Sequence, residues 1–573
     1  MAETDQQRRV RTVKEMIDER STRLAEWRAL AEYGCPPAGV FIPSQNPNQR
    51  RVNRGKIYDP EAELCLLTLV AGFESNCTNK AMPWVLYKMA DPDLNRFKPV
   101  KEWLEIAKNV TLEVFLKSNI YSTFPKVYRD LGLFATGGMS IEDDFEHNTL
   151  HTKHLPIGSY AIATNRWSRV DTFCQEYKLT TVQMVEEFGL DKVSEQVKTA
   201  YAKGNYGQWF DVVWLVEPNR NAKKGALFSK DKAFQSMKWE PSNAESPLSI
   251  KGYDENPCMF PRWDVEGESP YGTSCPGMIG HGTNKSLQKR ELKALNALDK
   301  LIDPSMQGPP GTERASHIPA SITIVPQGQG EFKPSYQIDP HFREMQEVKM
   351  EAKQTLQSIF YVNLFRMLTN GQNKDKTAYE IAAMKDEGMQ QLGPVSTRTN
   401  DELLDQVVER TFGILMRAGM LPPPPPEMSE AVMAIEYITP MSLALKTVGI
   451  TAIERLFQFA FGTIYPMYPE VVDKLDFDKS IDQYSERIGA PPDLVRDDNE
   501  TAGRRDQRAK GQQMAQAAAT MQAAAQTGKT LADTNVTNPS ALTQIQAAMQ
   551  GQGALPGASG VMPAAMQGGV PNG

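Results

Sequence analysis

The chain has 573 residues, of which 40% are hydrophobic and 23% are charged, and its 63 basic residues face 70 acidic ones for a net charge of −7. This length predicts two or more substructures around a sizeable buried core, which excludes a small disulfide-stapled scaffold. The longest apolar run, residues 64–73 interrupted by Thr68, is well short of the roughly 18 residues that a membrane span needs, so we expect no transmembrane helix and no membrane partner.

The charge balance bears on nucleic acid binding. Proteins that hold nucleic acid over a broad surface are usually basic, because phosphate neutralisation supplies most of their affinity. A conduit has the opposite requirement, since each added cation in its wall holds the sliding DNA more tightly. The net charge of −7 therefore fits a DNA channel, and it fits an ordinary cytosolic protein equally well.

The cysteines and the N-terminal residues indicate the compartment. Six cysteines are scattered along the chain without a Cys-x-x-Cys pair, which favours free buried thiols in a reducing compartment over disulfides or a zinc site. Residues 1–11 are charged and lack the apolar stretch of a secretory signal. We therefore expect the protein to stay in the compartment where it is made.

The first half of the chain has helical patterns followed by strand-like ones. Helices are predicted over residues 1–32, 60–80 and 99–118. The first of them should end at Cys35-Pro36-Pro37. Between residues 139 and 216, short alternating apolar runs broken by glycine predict strands, with a helical interruption at 178–203.

The clearest helix in the sequence is predicted from Thr283 to Ile302. Consecutive residues of a helix are about 100° apart, which separates the leucines of this segment from its lysines. One face carries Leu287, Leu295, Leu298, Leu301 and Ile302. The opposite face carries Lys285, Lys289, Lys293 and Lys300. We expect the leucine face to pack and the lysine face to meet solvent or a partner.

A small β unit is predicted between this helix and the next one. Residues 303–339 are rich in proline and glycine, with strand-like runs at 320–325 and near Tyr336. Residues 341–368 then place their apolar side chains on one helical face. Two long helices thus flank a compact β insert, and the polar loop 369–376 follows the second helix.

The last third of the chain has mainly helical patterns, followed by a segment of low complexity. Helices are predicted at residues 377–391, 399–419 and 441–461, with a polyproline spacer at 422–426. From about Gly503 the composition shifts to Gln, Ala, Met and Gly. After about Gly528 the chain is of low complexity, and we expect it to be disordered.

One cluster of histidines resembles a metal site only superficially. His147, His151 and His154 lie close together in the sequence. A His-x3-His pair binds metal when it lies on a helix, whereas the surrounding pattern here is strand and loop. Solvated surface histidines are the expected state.

A second segment resembles a phosphate-binding loop. Residues 277–286 precede a helix, but Ile279 and Asn284 occupy the two positions that the motif reserves for glycine. A flexible start of the helix, capped by Thr283 or Asn284, is the expected state. The sequence contains no Gly-x-Ser-x-Gly elbow and no cysteine in a recognisable catalytic context, so we predict no catalytic, cofactor or metal site and no enzyme activity.

The lysine stripe Lys285, Lys289 and Lys293 has two interpretations. An ordinary solvated helix face explains it without any ligand. A nucleic acid surface is the alternative, and the residues alone do not decide between the two.

The order of short motifs along nearly the whole chain resembles the head-to-tail connector, or portal, family of short-tailed bacteriophages (podoviruses). The segments that carry the resemblance are Met82-Pro83-Trp84, Lys117 to Tyr121, Leu131 to Gly137, Leu155 to Tyr160, Pro270-Tyr271-Gly272, Thr377 to Glu380, Leu392-Gly393-Pro394 and Glu436 to Pro440. Each is short, but their order and spacing together are specific.

The resemblance implies an α+β portal fold with a mixed α/β wing, long stem helices flanking a small β-containing clip, and a helical C-terminal crown. The implied regions are wing 1–282, stem helix 283–302, clip 303–339, stem helix 340–368, tunnel loop 369–376, wing and crown 377–500, and a Gln/Ala/Gly-rich tail 501–573. The candidate DNA-channel residues are Asn370, Gln372, Asn373, Lys374 and Lys376 of the loop with Lys285, Lys289 and Lys293. The candidate subunit-packing residues are Leu287, Leu295, Leu298 and Leu301.

The resemblance also implies partners and a location. Family members form rings of twelve subunits at one capsid vertex, through which double-stranded DNA passes during packaging and ejection without recognition of its sequence. Terminase, tail adaptor, scaffold and major capsid proteins are the implied partners. The implied location is the virion, assembled in the cytoplasm of the bacterial host.

Two other functions compete with this one. A packaging enzyme, meaning an ATPase or a nuclease, is disfavoured by the missing phosphate-binding loop. Another tail structural protein is disfavoured by the order of helix, β insert and helix, because tail fibres are commonly β-repetitive.

Overall fold

The computed structural model describes residues 4–42, 46–49, 54–91, 94–144, 146, 149–223, 225, 228–302, 306–307, 333–334, 342–369, 392–428, 433–437, 453–466, 468, 470, 475–488 and 498–532. The chain divides into two units, residues 1–491 and 492–573. All the helices and strands named below belong to the first unit except the last helix, α13.

Helices and strands alternate along the chain, which confirms the α+β prediction. The helices are α1 Asp5–Ser21, α2 Leu24–Gly34, α3 Glu61–Cys77, α4 Lys98–Lys117, α5 Ile120–Phe134, α6 Thr181–Phe188, α7 Glu195–Ala202, α8 Pro276–Ile302, α9 Phe342–Ile359, α10 Val362–Thr369, α11 Asp405–Arg417, α12 Phe477–Ile488 and α13 Asp498–Ala532. The strands are β1 Val85–Met89, β2 Met139–Asp144, β3 Thr149–His154, β4 Tyr160–Thr164, β5 Val170–Thr180, β6 Trp209–Pro218, β7 Phe234–Trp239, β8 Pro247–Tyr253, β9 Cys258–Met259, β10 Met306–Gln307, β11 Lys333–Pro334 and β12 Met433–Tyr437.

The largest sheet is antiparallel and has the order β4-β5-β6-β7-β8. Helix α1 covers one of its faces, because Val13 and Met16 pack with Cys174 and Leu215 in a separate apolar cluster. The other face contributes Phe173 and other residues to the main core. The sheet therefore has helical or core packing on both faces.

The main core lies where α2, α3, α5 and α8 meet. Trp27, Leu69 and Phe134 are fully buried there. A three-stranded sheet, β3-β2-β9, borders this core, and β1 pairs with β12. The last pairing joins residues 85–89 to residues 433–437, so two distant parts of the chain form this two-stranded sheet.

The predicted N-terminal helix over residues 1–32 is in fact two helices. The chain breaks at Thr22-Arg23 between α1 and α2. The hydroxyl groups of Ser21 and Thr22 donate hydrogen bonds to the carbonyls of Asp18 and Glu19. Such side chains compete with the helical ladder, and this explains the break.

The predicted long helix over residues 340–368 is also interrupted. Helix α9 ends at Ile359, and α10 begins at Val362. Tyr361 has a left-handed backbone, with φ of 56°. Its ring stacks on Trp263 at 6.5 Å between centroids, so tertiary packing holds a conformation that a bulky residue rarely adopts.

Other predicted helices and strands agree in type and differ in extent. The strand β5 continues to Thr180, so the helical interruption is the pair α6 and α7 rather than 178–203. Residues 392–399 are helical and continue into a π-helical turn, Asn400–Leu404, and α11. In the 303–339 region the structure describes the antiparallel pair β10 and β11. The expected strands at 320–325 and near Tyr336, and the helix at 377–391, lie outside the described residues.

The six cysteines are all free and buried. This confirms the prediction of isolated thiols. Burial raises the pKa of the Cys174 and Cys275 thiols to about 12, because the uncharged form is favoured away from water. No helix within the described part of the chain is long and apolar enough to span a bilayer.

Candidate stem and channel surface

The helix predicted from Thr283 begins earlier, at Pro276. Gly277 lies against the backbone of Leu133, and Gly280 faces Leu356 of α9, so the absence of side chains allows close packing on both sides. The glycine-rich segment is therefore the buried first part of α8 rather than a flexible start. Thr283 and Asn284 are inside the helix and do not cap it.

The three candidate lysines of α8 are exposed, as the helical spacing predicts. Lys285, Lys289 and Lys293 all lie on the solvent side. Lys285 Nζ is 5.8 Å from the centre of the Tyr33 ring, a cation–π distance. The lysine stripe thus begins beside Tyr33 of α2 and continues along the exposed side of α8.

The four candidate packing leucines do not share one environment. Leu287 is fully buried in the core of its own chain. Leu295, Leu298 and Leu301 are 43%, 42% and 47% exposed. The first part of the leucine face is therefore already covered within the subunit, and the later part is not.

Buried amide side chains attach the first part of α8 to the end of α2 and to the residues before α3. Gln288 Oε1 accepts hydrogen bonds from the backbone N–H groups of Tyr58 at 2.7 Å and Asp59 at 2.9 Å. Its Nε2 donates to the Asp59 carbonyl at 2.8 Å, and Asn284 Nδ2 donates to the Tyr33 carbonyl at 2.7 Å. These bonds satisfy polar groups that would be costly to bury unpaired.

Two lysines of α9 complete this junction. Lys353 Nζ lies 3.0 Å from Asp59 Oδ2 and 3.3 Å from Glu61 Oε2. Lys349 Nζ lies 2.8 Å from Glu291 Oε2 on α8 and 3.3 Å from Asp59 Oδ2. The lysines of α9 therefore join α8 to the start of α3.

The charges in this junction shift one another's pKa values. Burial alone would raise the pKa of Asp59, but hydrogen bonds from Lys353 and Lys349 and from the backbone lower it below its ordinary value. The hydrogen bond to Glu291 is the largest effect on Lys349 and raises its pKa. The lowered pKa of Asp59 and the raised pKa values of Lys349 and Lys353 all favour the charged forms at neutral pH.

This junction was not predicted from the sequence. Its members come from distant segments, and neither Asp59 nor Gln288 belongs to a motif. A polar residue such as Gln288 beside the leucine face of a helix is the one available signal, because it breaks the apolar face where the helix meets other backbone. The lysines of α9 look like solvent-facing charges until α3 is placed next to them.

The candidate tunnel residues Asn370, Gln372, Asn373, Lys374 and Lys376 lie outside the described residues. What precedes them is described: α10 ends at Thr369. Phe365 of α10 packs against Gly72 of α3, where any larger residue would collide with the ring. Helix α10 therefore returns the chain to the core directly before the predicted loop.

The histidine cluster is split by its local structure. His151 and His154 lie on β3, and His147 is outside the described residues. His154 Nε2 contacts the buried Asp130 carboxylate at 2.9 Å. Burial alone would raise the pKa of Asp130, but His154 and Arg129 lower it. Within the described ranges, no three His, Cys, Asp or Glu side chains are placed to hold a metal ion.

Comparison with known families adds the decisive observation. The model of the family described as "Bacteriophage head to tail connecting protein" matches residues 7–495. This chain belongs to that family. The match extends from α1 to a point beyond the end of α12, so the resemblance seen in the short motifs is confirmed.

Two curated relatives of this connector cover almost its full length. It is 37% identical over 550 residues to the "Portal protein" of Salmonella phage epsilon15, covering 95% of this chain and 98% of the relative. It is 31% identical over 539 residues to the "Probable portal protein" of Bordetella phage BPP-1, covering 93% of this chain and 96% of the relative. The similarity therefore extends over almost the whole of each chain.

The chain also resembles some solved structures. One is "Virion of native gene transfer agent (GTA) particle", to which it is 12% identical with a TM-score of 0.34. That match covers 77% of this chain and 89% of the other. The chain matches "Neck of empty GTA particle computed with C6 symmetry" with 12% identity, 76% and 91% coverage, and a TM-score of 0.33.

Proposed function

We propose that this connector is a portal subunit that assembles into a closed ring at one capsid vertex and forms the conduit for double-stranded DNA during packaging and ejection. The observation that carries the proposal is the family match over residues 7–495. The two relatives named as portal proteins support it at full length.

The exposed part of the stem supplies the subunit contacts in this proposal. Leu295, Leu298 and Leu301 are nearly half exposed in the single chain, and a neighbouring stem would cover them. Burying such side chains stabilises an interface by roughly 25 cal/mol per Å² of apolar surface. Leu287 is excluded from this role, because it is buried inside its own subunit.

The polar surfaces would meet DNA. The lysines of α8 and the loop residues Asn370, Gln372, Asn373, Lys374 and Lys376 are candidates for contacts with phosphates. Such contacts are independent of base sequence and weaken with salt. A polar, turn-prone loop between helices has no apolar face to bury, which favours its projection into the channel.

The partners and the location follow from the same family role. We propose a twelve-subunit ring that contacts terminase during packaging, then tail adaptors, and that contacts scaffold and major capsid proteins in the head. The protein would be assembled in the host cytoplasm and remain in the virion. It would have no hydrolytic activity of its own, unlike a packaging ATPase or nuclease.

Ring formation tests the stem assignment. Leu295→Asp introduces a charge into the proposed seam and should prevent rings, as seen by negative-stain electron microscopy of the purified protein. Asn296→Asp is the matched control, because it places a negative charge on the adjacent, exposed position of α8. Normal rings from Leu295→Asp would show that this face is not the seam.

DNA retention tests the channel assignment. Replacing both Lys374 and Lys376 by Ala should leave rings intact and change the amount of packaged DNA in an assembly assay. A variant that packages normally would remove these lysines from the channel. A variant that loses its rings would show that the loop has a structural role instead.

The absence of hydrolytic activity is tested directly. Purified protein with magnesium and ATP should release no phosphate above background. Turnover that Lys285→Ala abolished would instead indicate a packaging motor.

A further inference from the structure

The turn between β4 and β5 holds a tryptophan in solvent. The side chain of Trp167 is 70% exposed. Asn165 fixes the turn, because its side-chain oxygen accepts hydrogen bonds from the backbone N–H groups of Trp167 at 2.9 Å and Arg169 at 3.1 Å. Ser168 has a left-handed backbone, with φ of 57°. The turn thus has a defined conformation around an exposed aromatic ring.

A buried arginine attaches this turn to the rest of the wing. Arg262, 3% exposed, donates from Nη2 to the carbonyl of Ser168 at 2.7 Å. The same guanidinium forms an ion pair at 2.6 Å with Glu402 of the π-helical turn. These hydrogen bonds already hold the backbone of the turn, so binding of Trp167 to a partner surface would cost little backbone conformational entropy. Tryptophan is also among the residues that most often anchor interfaces.

A shallow cavity of about 370 Å³, wide open to solvent, lies at the opposite end of the same sheet. It is lined by Glu195, Gln196, Thr199, Ala200, Lys203, Asn205 and Gln208, from α7 and the segment after it. Helices α6 and α7 connect the end of β5 to the start of β6, whereas the Trp167 turn connects β4 to the start of β5. The cavity and the tryptophan are therefore separated by the whole length of β5.

The length of β5 prevents Trp167 from reaching the cavity of its own subunit. Strand β5 has 11 residues. At a rise of about 3.3 Å per residue it spans on the order of 33 Å, far beyond the reach of a side chain. Trp167 can therefore enter this cavity only from another molecule.

We propose that Trp167 of one subunit occupies the α7 cavity of the next subunit around the ring. The inference rests on the proposed ring, because a closed ring of identical subunits is built from heterologous contacts between two different surfaces. Opposite ends of one sheet provide such a pair of surfaces, so a second copy of this chain is the occupant that the geometry favours.

The chemistry of the two surfaces is complementary. The guanidinium of Arg166 lies 4.7 Å from the centre of the Trp167 ring, so both side chains would lie at the cavity of the neighbouring subunit. There the carboxylate of Glu195 lies 2.7 Å from Lys198 Nζ, and its side chain is 86% exposed, so it can accept the Arg166 guanidinium as a second partner. The side-chain oxygens of Asn205 and Gln208 line the cavity and can accept a hydrogen bond from the indole N–H.

Cross-linking tests this contact. The double variant Arg166→Cys with Glu195→Cys keeps Trp167, and the six natural cysteines are buried. A short-spacer bismaleimide should convert rings of the double variant into a ladder of covalent oligomers on a denaturing gel, whereas each single variant should remain monomeric. Rings in the microscope without a ladder would overturn this contact and leave the portal function intact. A wild-type protein that forms no rings would overturn the proposed function itself.

If the double-cysteine variant fails to assemble, a second measurement tests the same contact. Trp167→Ala should raise the protein concentration needed for half-maximal ring formation by roughly tenfold or more, as expected for loss of an interface anchor. Phe97→Ala removes another exposed aromatic, 52% exposed, from the wing and should have no such effect. Equal assembly of the two variants would overturn the contact. Far-UV circular dichroism confirms that both are folded.

Discussion

Lys353 Nζ lies 3.0 Å from Asp59 Oδ2, which places a cation of α9 against a carboxylate that is only 4% exposed. Asp59 lies two residues before the start of α3, one of the helices that form the main core. The connection between α9 and the start of α3 therefore depends on charge pairing as well as on apolar packing.

Removing the cation should weaken the fold. Lys353→Met leaves Asp59 with fewer hydrogen bonds in a buried position, and we expect the free energy of unfolding to fall by about 1 to 3 kcal/mol. The midpoint of urea denaturation measures the change. Lys289→Met alters an exposed lysine of α8 in the same way and should shift stability by less than about 0.5 kcal/mol. Equal midpoints for the two variants would contradict the prediction.

The same junction should make stability depend on pH. Burial alone would raise the pKa of Asp59, but its hydrogen bonds with Lys353 and Lys349 hold that pKa below the ordinary value. A carboxyl group of this kind contributes stability above its unfolded pKa of about 3.9, and the contribution is lost as the pH falls through the folded pKa. The stability difference between wild type and Asp59→Asn should therefore be largest at neutral pH and shrink below about pH 4. Denaturation midpoints across this range provide the test, and a constant difference would count against the role of Asp59.

The contact between Gly72 and Phe365 predicts opposite effects for two glycine substitutions. A Cβ at Gly72 would collide with the Phe365 ring, so Gly72→Ala should destabilise the protein by about 1 to 3 kcal/mol. A Cβ at Gly282 of α8 meets no heavy atom within 4 Å. Gly282→Ala should therefore stabilise the protein by about 0.5 to 1 kcal/mol through helix propensity. Thermal unfolding of both variants gives the signs, and two shifts in the same direction would refute the packing argument.

The C-terminal tail should be dispensable for assembly. The composition after about Gly528 cannot bury enough apolar surface to offset the entropy of ordering it. A truncation after Gly528 should elute from size-exclusion chromatography as the same large oligomer as the full chain. Elution as a monomer or as an aggregate would show that the tail contributes to the ring.

Local patterns were sufficient for much of the secondary structure. The periodicity of α8 placed Lys285, Lys289 and Lys293 on the exposed side, and the alternation in residues 139–216 identified strands β2 to β6. Strands β7 and β8 of the five-stranded sheet were not predicted. Helix ends were less predictable, because they depend on contacts made by other segments. The start of α8 at Pro276 needs Leu133 beside Gly277, and the break at Tyr361 needs Trp263.

The sequence by itself determined the family, the α+β class and the two faces of α8, because these follow from motif order and from the spacing of apolar residues along one segment. Only the tertiary structure decided that Leu287 is internal while Leu295 is exposed, that Asp59 contacts both α8 and α9, and that Trp167 is separated from the α7 cavity by the length of β5. Each of these depends on which distant segments come together. That information lies in the packing of the whole chain and not in any local pattern.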